Sequence, residues 1–369
     1  MRNELKKHLT TAFLINFIML WISACIPTSV PITSPATLPP QLKVTDAPTS
    51  SSIPTLANTP LADTQVSTDD SSPAVPCFVT YYDPFAFLPD SLNLLVRADM
   101  GVQIFNLQTM KTERFVQALS IIDGPAVALS PDGTTLAWAF PNGEIQEISL
   151  TGVEPTYTIH SEQETPLKLE FSPTKDTLYS SSHDGNVWFW NLQGGQKDMY
   201  GNYGELSNIS VSPDGSMLAL VPADGPVTLV NADNFVLVKE LGGSGGYDTS
   251  DAVFSPDGQY LAADLATGLF VWKVSDGTEL VGADQPIYSM AVAYSPDGKF
   301  MAYAESNNLV ISSPDGGQII KSLEGHQAPI FEVLFSPDSS LLVSADDVDI
   351  RVWRVADGRL LAIGKRACP

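Results

Sequence analysis

Ser130-Pro131-Asp132-Gly133 carries the decisive reading of this chain, because the same four residues return at 212–215, 255–258 and 295–298. Weaker copies stand at Leu88-Pro89-Asp90-Ser91, Ser172-Pro173-Thr174-Lys175 and Ser336-Pro337-Asp338-Ser339. Proline presets φ for the second residue of a tight turn, aspartate tolerates the third position, and glycine takes the left-handed conformation that closes a hairpin. The seven prolines, at 89, 131, 173, 213, 256, 296 and 337, are 40 to 43 residues apart. A fixed period of that size means one supersecondary unit per repeat.

Two further series of turns keep a stricter spacing. Twelve residues after each proline stand Gly101, Gly143, Gly185, Gly225, Gly268, Asn308 and Asp349, and nine residues later stand Met110, Gly152, Gly194, Asn234, Gly277, Gly317 and Gly358. Three turns cut each repeat into four short segments. Between them lie runs such as Val187-Trp188-Phe189-Trp190 and Leu269-Phe270-Val271-Trp272, whose β-branched and aromatic residues favour strands. A four-stranded unit cannot bury both faces alone, so seven of them are expected to close radially into an all-β, seven-bladed β-propeller over residues 77–369. Residues 359–364 already supply a fourth strand for the last blade, with 78–82 free to pair alongside.

On these residues the chain resembles the WD-repeat family. Trp190-Asn191-Leu192, Trp272-Lys273-Val274 and Trp353-Arg354-Val355 sit where that family places Trp-Asp, and Gly325-His326 matches its Gly-His dipeptide. The resemblance implies a His–Ser/Thr–Asp–Trp hydrogen-bond network that staples a blade. With one Gly-His and no Trp-Asp pair, the network is expected in the last blade alone, from His326, Asp347 and Trp353. The resemblance also implies that the crossovers between blades share a face with the loops between second and third strands, and that this face binds partners.

Length variation falls in those crossovers, since both inter-turn spacings are constant. Mapped onto them are Glu162, Glu164, Tyr200, Tyr203, Tyr247, Asp248, Asp284 and Tyr288, with Asp123, Glu205, Asp251 and Glu324. An acidic, tyrosine-bearing face suits a basic protein segment, a cation or a polar glycan. It equally suits the plainer task of keeping the domain soluble.

Charge argues in the same direction. Acidic residues outnumber basic ones 42 to 19, a net charge of −23, which sets nucleic acid aside as a partner. Three cysteines without a Cys-x-x-Cys pair and four histidines set structural zinc aside, and neither metal nor cofactor is expected. Gly242-Gly243-Ser244-Gly245-Gly246 has the spacing of a hydrolase nucleophile elbow but lacks the strand-to-helix context, so it reads as a glycine loop. The acidic turn Asp346-Asp347-Val348-Asp349 lacks the spacing of a calcium loop.

The N-terminus reads as an export signal. Arg2, Lys6 and Lys7 precede an apolar run that ends in Ile22-Ser23-Ala24-Cys25, which resembles a bacterial lipobox. Residues 1–24 are then a signal peptide, and Cys25 is the lipidated residue of a protein anchored outside the cytoplasm in the cell envelope. Residues 26–76, with ten prolines and no aromatic residue, form a Ser/Thr/Pro-rich tether. In that compartment Cys77 and Cys368, at the two ends of a ring, are expected to form a disulfide. The reading as a whole is a membrane-tethered, non-catalytic scaffold. A propeller lactonase or hydrolase with its site at the central channel, and a docked subunit of an envelope assembly, stay open beside it.

Overall fold

The computed structural model describes residues 86–365 apart from 99–100, 110, 118–125, 141, 152–154, 161–165, 183, 193–196, 202, 244–250 and 283–290. The described residues form seven four-stranded antiparallel sheets, and in each sheet the strands lie side by side in chain order. These are the blades, at 86–117, 127–160, 166–200, 206–240, 251–281, 292–323 and 332–365. The chain is a seven-bladed β-propeller.

The turn chemistry explains why each blade begins where it does. Ser130 Oγ donates to Asp132 Oδ1 (2.6 Å) and accepts the N–H of Thr135 (2.9 Å), while Asp132 Oδ1 accepts the N–H of Thr134 (3.0 Å). The same three bonds recur at Ser212 with Asp214, Ser255 with Asp257, Ser295 with Asp297 and Ser336 with Asp338. Gly133, Gly215, Gly258 and Gly298 all take φ between 69° and 71°. Ser91 and Ser339 hold the equivalent position at φ 60° and 61°, against the preference of side chains for the right-handed region. Each uses its hydroxyl to tie down the preceding blade: Ser339 Oγ accepts the N–H of Asp297 (3.0 Å), and Ser91 Oγ that of Asp338 (3.1 Å).

Strand alternation builds the core between blades. In Tyr260–Leu265, Leu261, Ala263 and Leu265 pack on Ala219, Val221 and Leu229 of blade four, whereas Ala262 faces Val292, Met301 and Val310 of blade six. Seven such clusters join neighbouring blades, and the seventh sets Phe87, Leu94 and Phe105 of blade one against Leu341, Val343 and Ile350 of blade seven. Burying each Leu or Val contributes about 1.5–3 kcal/mol, so the ring is held by its seams. Blade seven is completed by its own Leu360–Lys365, paired along Asp349–Arg354. The expectation for 78–82 lies outside the described residues.

Candidate functional site

The innermost strands of blades three, four, five and seven each bring one polar group to the mouth of the central channel, where blades two and six have Ala126 and Ala291. Lys168, Asn208, Asp251 and Glu332 each stand five residues before their turn proline, near the start of Pro166–Phe171, Leu206–Val211, Asp251–Phe254 and Glu332–Phe335. They therefore share one level of the ring, on the side where the crossovers arrive. Lys168 Nζ of blade three lies 3.5 Å from Asp251 Oδ1 of blade five, and Asn208 Nδ2 of the blade between donates to the same oxygen at 3.0 Å. About a third of each charged side chain stays open, 36% for Lys168 and 35% for Asp251. Asp251 raises the Lys168 ammonium above its usual range, burial opposes this, and Glu170 and Glu332 add to the rise. Charges from blades three, five and seven act on one ammonium only because they converge on the axis.

The cluster is undercompensated. Burial pushes Glu170 up to about 7 despite Lys168 and the hydrogen bond from the Val211 N–H (2.9 Å). Asp264 stands directly across the ladder from Asp251, on the second strand of blade five, so the two side chains leave the sheet on the same face. It is 1% exposed and neither carboxyl oxygen has a hydrogen-bond partner among the described residues. Burial, and then the charge of Asp251, push it up to about 9, so Asp264 carries a proton at neutral pH. Sequence reasoning named Asp251 only as one of many crossover acids and missed Lys168, Glu170, Asn208, Asp264 and Glu332. The signal that finds Lys168, Asn208 and Glu332 is positional, since aligning the repeats on their prolines puts them in one column with Asp251; Glu170 and Asp264 lie outside that column.

A second buried network lies in the last blade. His326 Nε2 is 2.6 Å from Ser344 Oγ, to which Trp353 Nε1 also donates at 2.8 Å. His326 Nδ1 lies 2.9 Å from Asp346 Oδ2 and 3.4 Å from Asp349 Oδ1. The carboxylate in this network is Asp346, and the sequence-based choice, Asp347, is corrected: Asp347 is exposed. Asp346 is drawn inward because its Oδ1 accepts the N–H groups of Val348 (2.8 Å) and Asp349 (2.7 Å), which makes it the first residue of the turn. Burial alone would raise the Asp346 carboxyl, but His326 and those two N–H groups outweigh it and hold it well below its ordinary range. Arg351 extends the network through Asp349, with Nε on Oδ1 at 2.8 Å and Nη2 on Oδ2 at 3.2 Å. Among the described residues these three acidic and imidazole groups, His326, Asp346 and Asp349, are the set close enough to surround a metal ion. Ser344 and Arg351 already occupy two of the three. Part of the network recurs in blade three, where Trp190 Nε1 donates to Ser180 Oγ at 3.2 Å.

Of the residues expected on the binding face, Tyr200 and Tyr203 are described. Both are half-buried: the Tyr200 ring stacks on Phe235 of blade four at 4.1 Å, and the Tyr203 hydroxyl donates to the Phe235 carbonyl at 3.3 Å. They pack the seam between blades three and four. Glu205 is half-buried and Glu324 exposed. Glu162, Glu164, Tyr247, Asp248, Asp284 and Tyr288 lie outside the described residues, as do Cys25, Cys77 and Cys368.

Comparison with known proteins points the same way. Residues 154–191 and 317–354 match the family model "WD domain, G-beta repeat". The chain is 30% identical over 195 residues to WD repeat-containing protein SL1-17 of Schistosoma mansoni, covering 51% of this chain and 64% of that protein. It is 32% identical over 147 residues to an uncharacterised WD repeat-containing protein of Synechocystis sp., covering 39% and 42%, and 23% identical over 249 residues to WD repeat-containing protein 1-B of Xenopus laevis, covering 54% and 40%. The match thus spans less than two thirds of each relative's own length. Seven four-stranded blades make this chain a β-propeller, and two of its stretches are similar to WD40 repeats, one of them carrying the His326–Ser344–Trp353 contacts.

Proposed function

We propose that this propeller is a protein-binding scaffold that displays its crossover side to a basic partner, and that Cys25 is lipidated so that residues 26–76 tether the domain to a membrane outside the cytoplasm. WD40 propellers generally bind proteins, which supports the scaffold reading. The observation that carries the choice of face is the polar ring of Lys168, Asn208, Asp251 and Glu332, which opens on the side where the crossovers vary in length. Affinity capture from solubilised membranes with the full chain as bait tests it. Reversing Glu162 and Glu164 to lysine should reduce the captured partner at least tenfold, whereas reversing Asp132 and Asp276, in turns at the opposite end of the strands, should not. Equal losses from both sets would reduce the face to a nonspecific field. Cys25→Ser should release the protein from the membrane fraction; unchanged processing and fractionation would end the lipoprotein reading.

The carboxylates around Lys168 also favour a second reading, a hydrolytic site in the channel with Glu170 as the proton-transferring group. Its raised pKa, about 7, suits a general acid or base. Turnover of a lactone or activated ester that is lost in Glu170→Gln, in a protein that captures no partner, would replace the scaffold by the enzyme.

A further inference from the structure

Asp264 is the anomaly of the molecule. The strand that carries it, Tyr260–Leu265, is otherwise formed of apolar residues and one tyrosine; the equivalent position is Ala139, Val221, Ala304 and Ala345 in blades two, four, six and seven, Ser181 in blade three and Arg97 in blade one, so Asp264 is the acid of the series. A carboxyl group there is desolvated with no hydrogen-bond partner among the described residues, an arrangement that costs stability and is kept where a ligand uses it. In front of it, toward the channel, is Asp251, partly open to solvent.

We infer that the channel mouth takes up an organic cation, an alkylammonium or guanidinium group, between the partly open carboxylate of Asp251 and the buried carboxyl of Asp264. The inference rests on the reading of the crossover side as a recognition face and names the chemistry recognised there. Directly opposed residues of an antiparallel ladder have Cβ atoms about 4.5–5.5 Å apart, a separation that a forked donor such as guanidinium bridges. A bare metal ion suits the mouth less well. Among the described residues the close-set group of three metal-ligating side chains is at His326, not in the channel, so the mouth carboxylates are too dispersed to enclose an ion. Lys168 does not fill the need, since Asp251, Glu170 and Glu332 all act on its one ammonium, whereas the charge that acts on Asp264 is that of Asp251. A second cation restores the balance.

The uptake is coupled to protons. A cation stabilises the ionised carboxyl, so its arrival expels the proton of Asp264 and draws down Glu170. Protons compete with the ligand, and affinity rises with pH between about 6 and 9, the range set by Glu170 and Asp264 with Asp251, Lys168 and Glu332 as their charged neighbours.

Calorimetric titration of the full-length chain with argininamide acetylated on its α-amine, and with the likewise acetylated, neutral citrulline amide as control, tests this. Argininamide should bind saturably, release protons in buffers of different ionisation enthalpy, and gain at least tenfold in affinity from pH 6 to 9. Asp264→Asn is close in shape to the protonated carboxyl, so it should melt no lower than the parent at pH 7.5 while losing the upper part of the pH dependence, near pH 9, and at least tenfold in affinity. Asp276→Asn, an exposed turn substitution at the opposite end of the strands, should change neither. Absence of saturable binding, equal binding by citrulline amide, or undiminished pH dependence in Asp264→Asn would overturn the inference. A partner captured equally by parent and Asp264→Asn would overturn it while leaving the scaffold standing; argininamide binding without any captured partner would do the reverse. A peptide-borne arginine that binds tenfold tighter than argininamide or spermidine marks a protein as the source of the cation, and equal affinities mark a free amine.

Discussion

At the scale of single residues, the fourth position of the first turn separates two costs that usually come together. Gly298 sits at φ 70° with nothing within 4 Å of where a Cβ would stand, while a Cβ on Gly133, at φ 71°, would meet Pro89 Cδ at 2.3 Å. Gly298→Ala should therefore show the left-handed penalty alone, about 1 kcal/mol, and Gly133→Ala clearly more, because the proline of the neighbouring turn must move. Urea midpoints of the two variants check this, and equal losses would show that Pro89 yields freely. The glycines themselves were legible from the sequence as turn positions. The Asp346–Asp347 choice was not: three aspartates within four residues are chemically equivalent until the backbone shows which one caps Val348 and Asp349. Asp264 was equally hidden, since its meaning lies in the apolar strand that surrounds it.

Whole strands and blades were read more easily than their lateral contacts. Alternation and turn spacing located the four strands of each repeat because both are local, period-two signals. Contacts between blades depend on three-dimensional neighbours and leave no such trace. Lys321 Nζ of blade six donates to the carbonyls of Val355 (3.0 Å) and Ala356 (2.9 Å) in blade seven, and Lys239 Nζ of blade four to that of Ser275 (3.3 Å) in blade five, each cation closing the third turn of the next blade. Blade seven adds the His326 network, which has a pH signature. The Asp346 carboxyl lies below its unfolded value of about 4, so its contribution is fully present above that pH and is lost as pH falls through the folded value. His326→Ala removes the imidazole from a buried aspartate and should cost about 3 kcal/mol at pH 7. Its penalty should shrink at pH 3 and below, where the parent has begun to lose the same interaction. Urea titrations at the two pH values read this directly, and a pH-independent penalty would mean that His326 acts through packing alone.

At the scale of the molecule, the count of seven and the closure of the ring were legible because both follow from the period and from the impossibility of burying a lone blade. The channel lining was not, since its members are 40 to 81 residues apart and converge only when the ring closes. Every described sheet is drawn from one unbroken stretch of chain, blade seven included. The order in which the blades are translated is thus independent of the order in which they stand around the axis. Linking residue 365 to residue 86 through a flexible peptide and reopening the chain beside Gly204, where a Cβ would meet nothing within 4 Å, yields a circular permutant in which no sheet is split. It should fold to the same ring, with a melting temperature within a few degrees of the parent. A reopening inside blade four, between 217–222 and 228–231, should instead lose cooperative unfolding. The blade is then the unit of rearrangement, and such a chain can be re-begun at any seam.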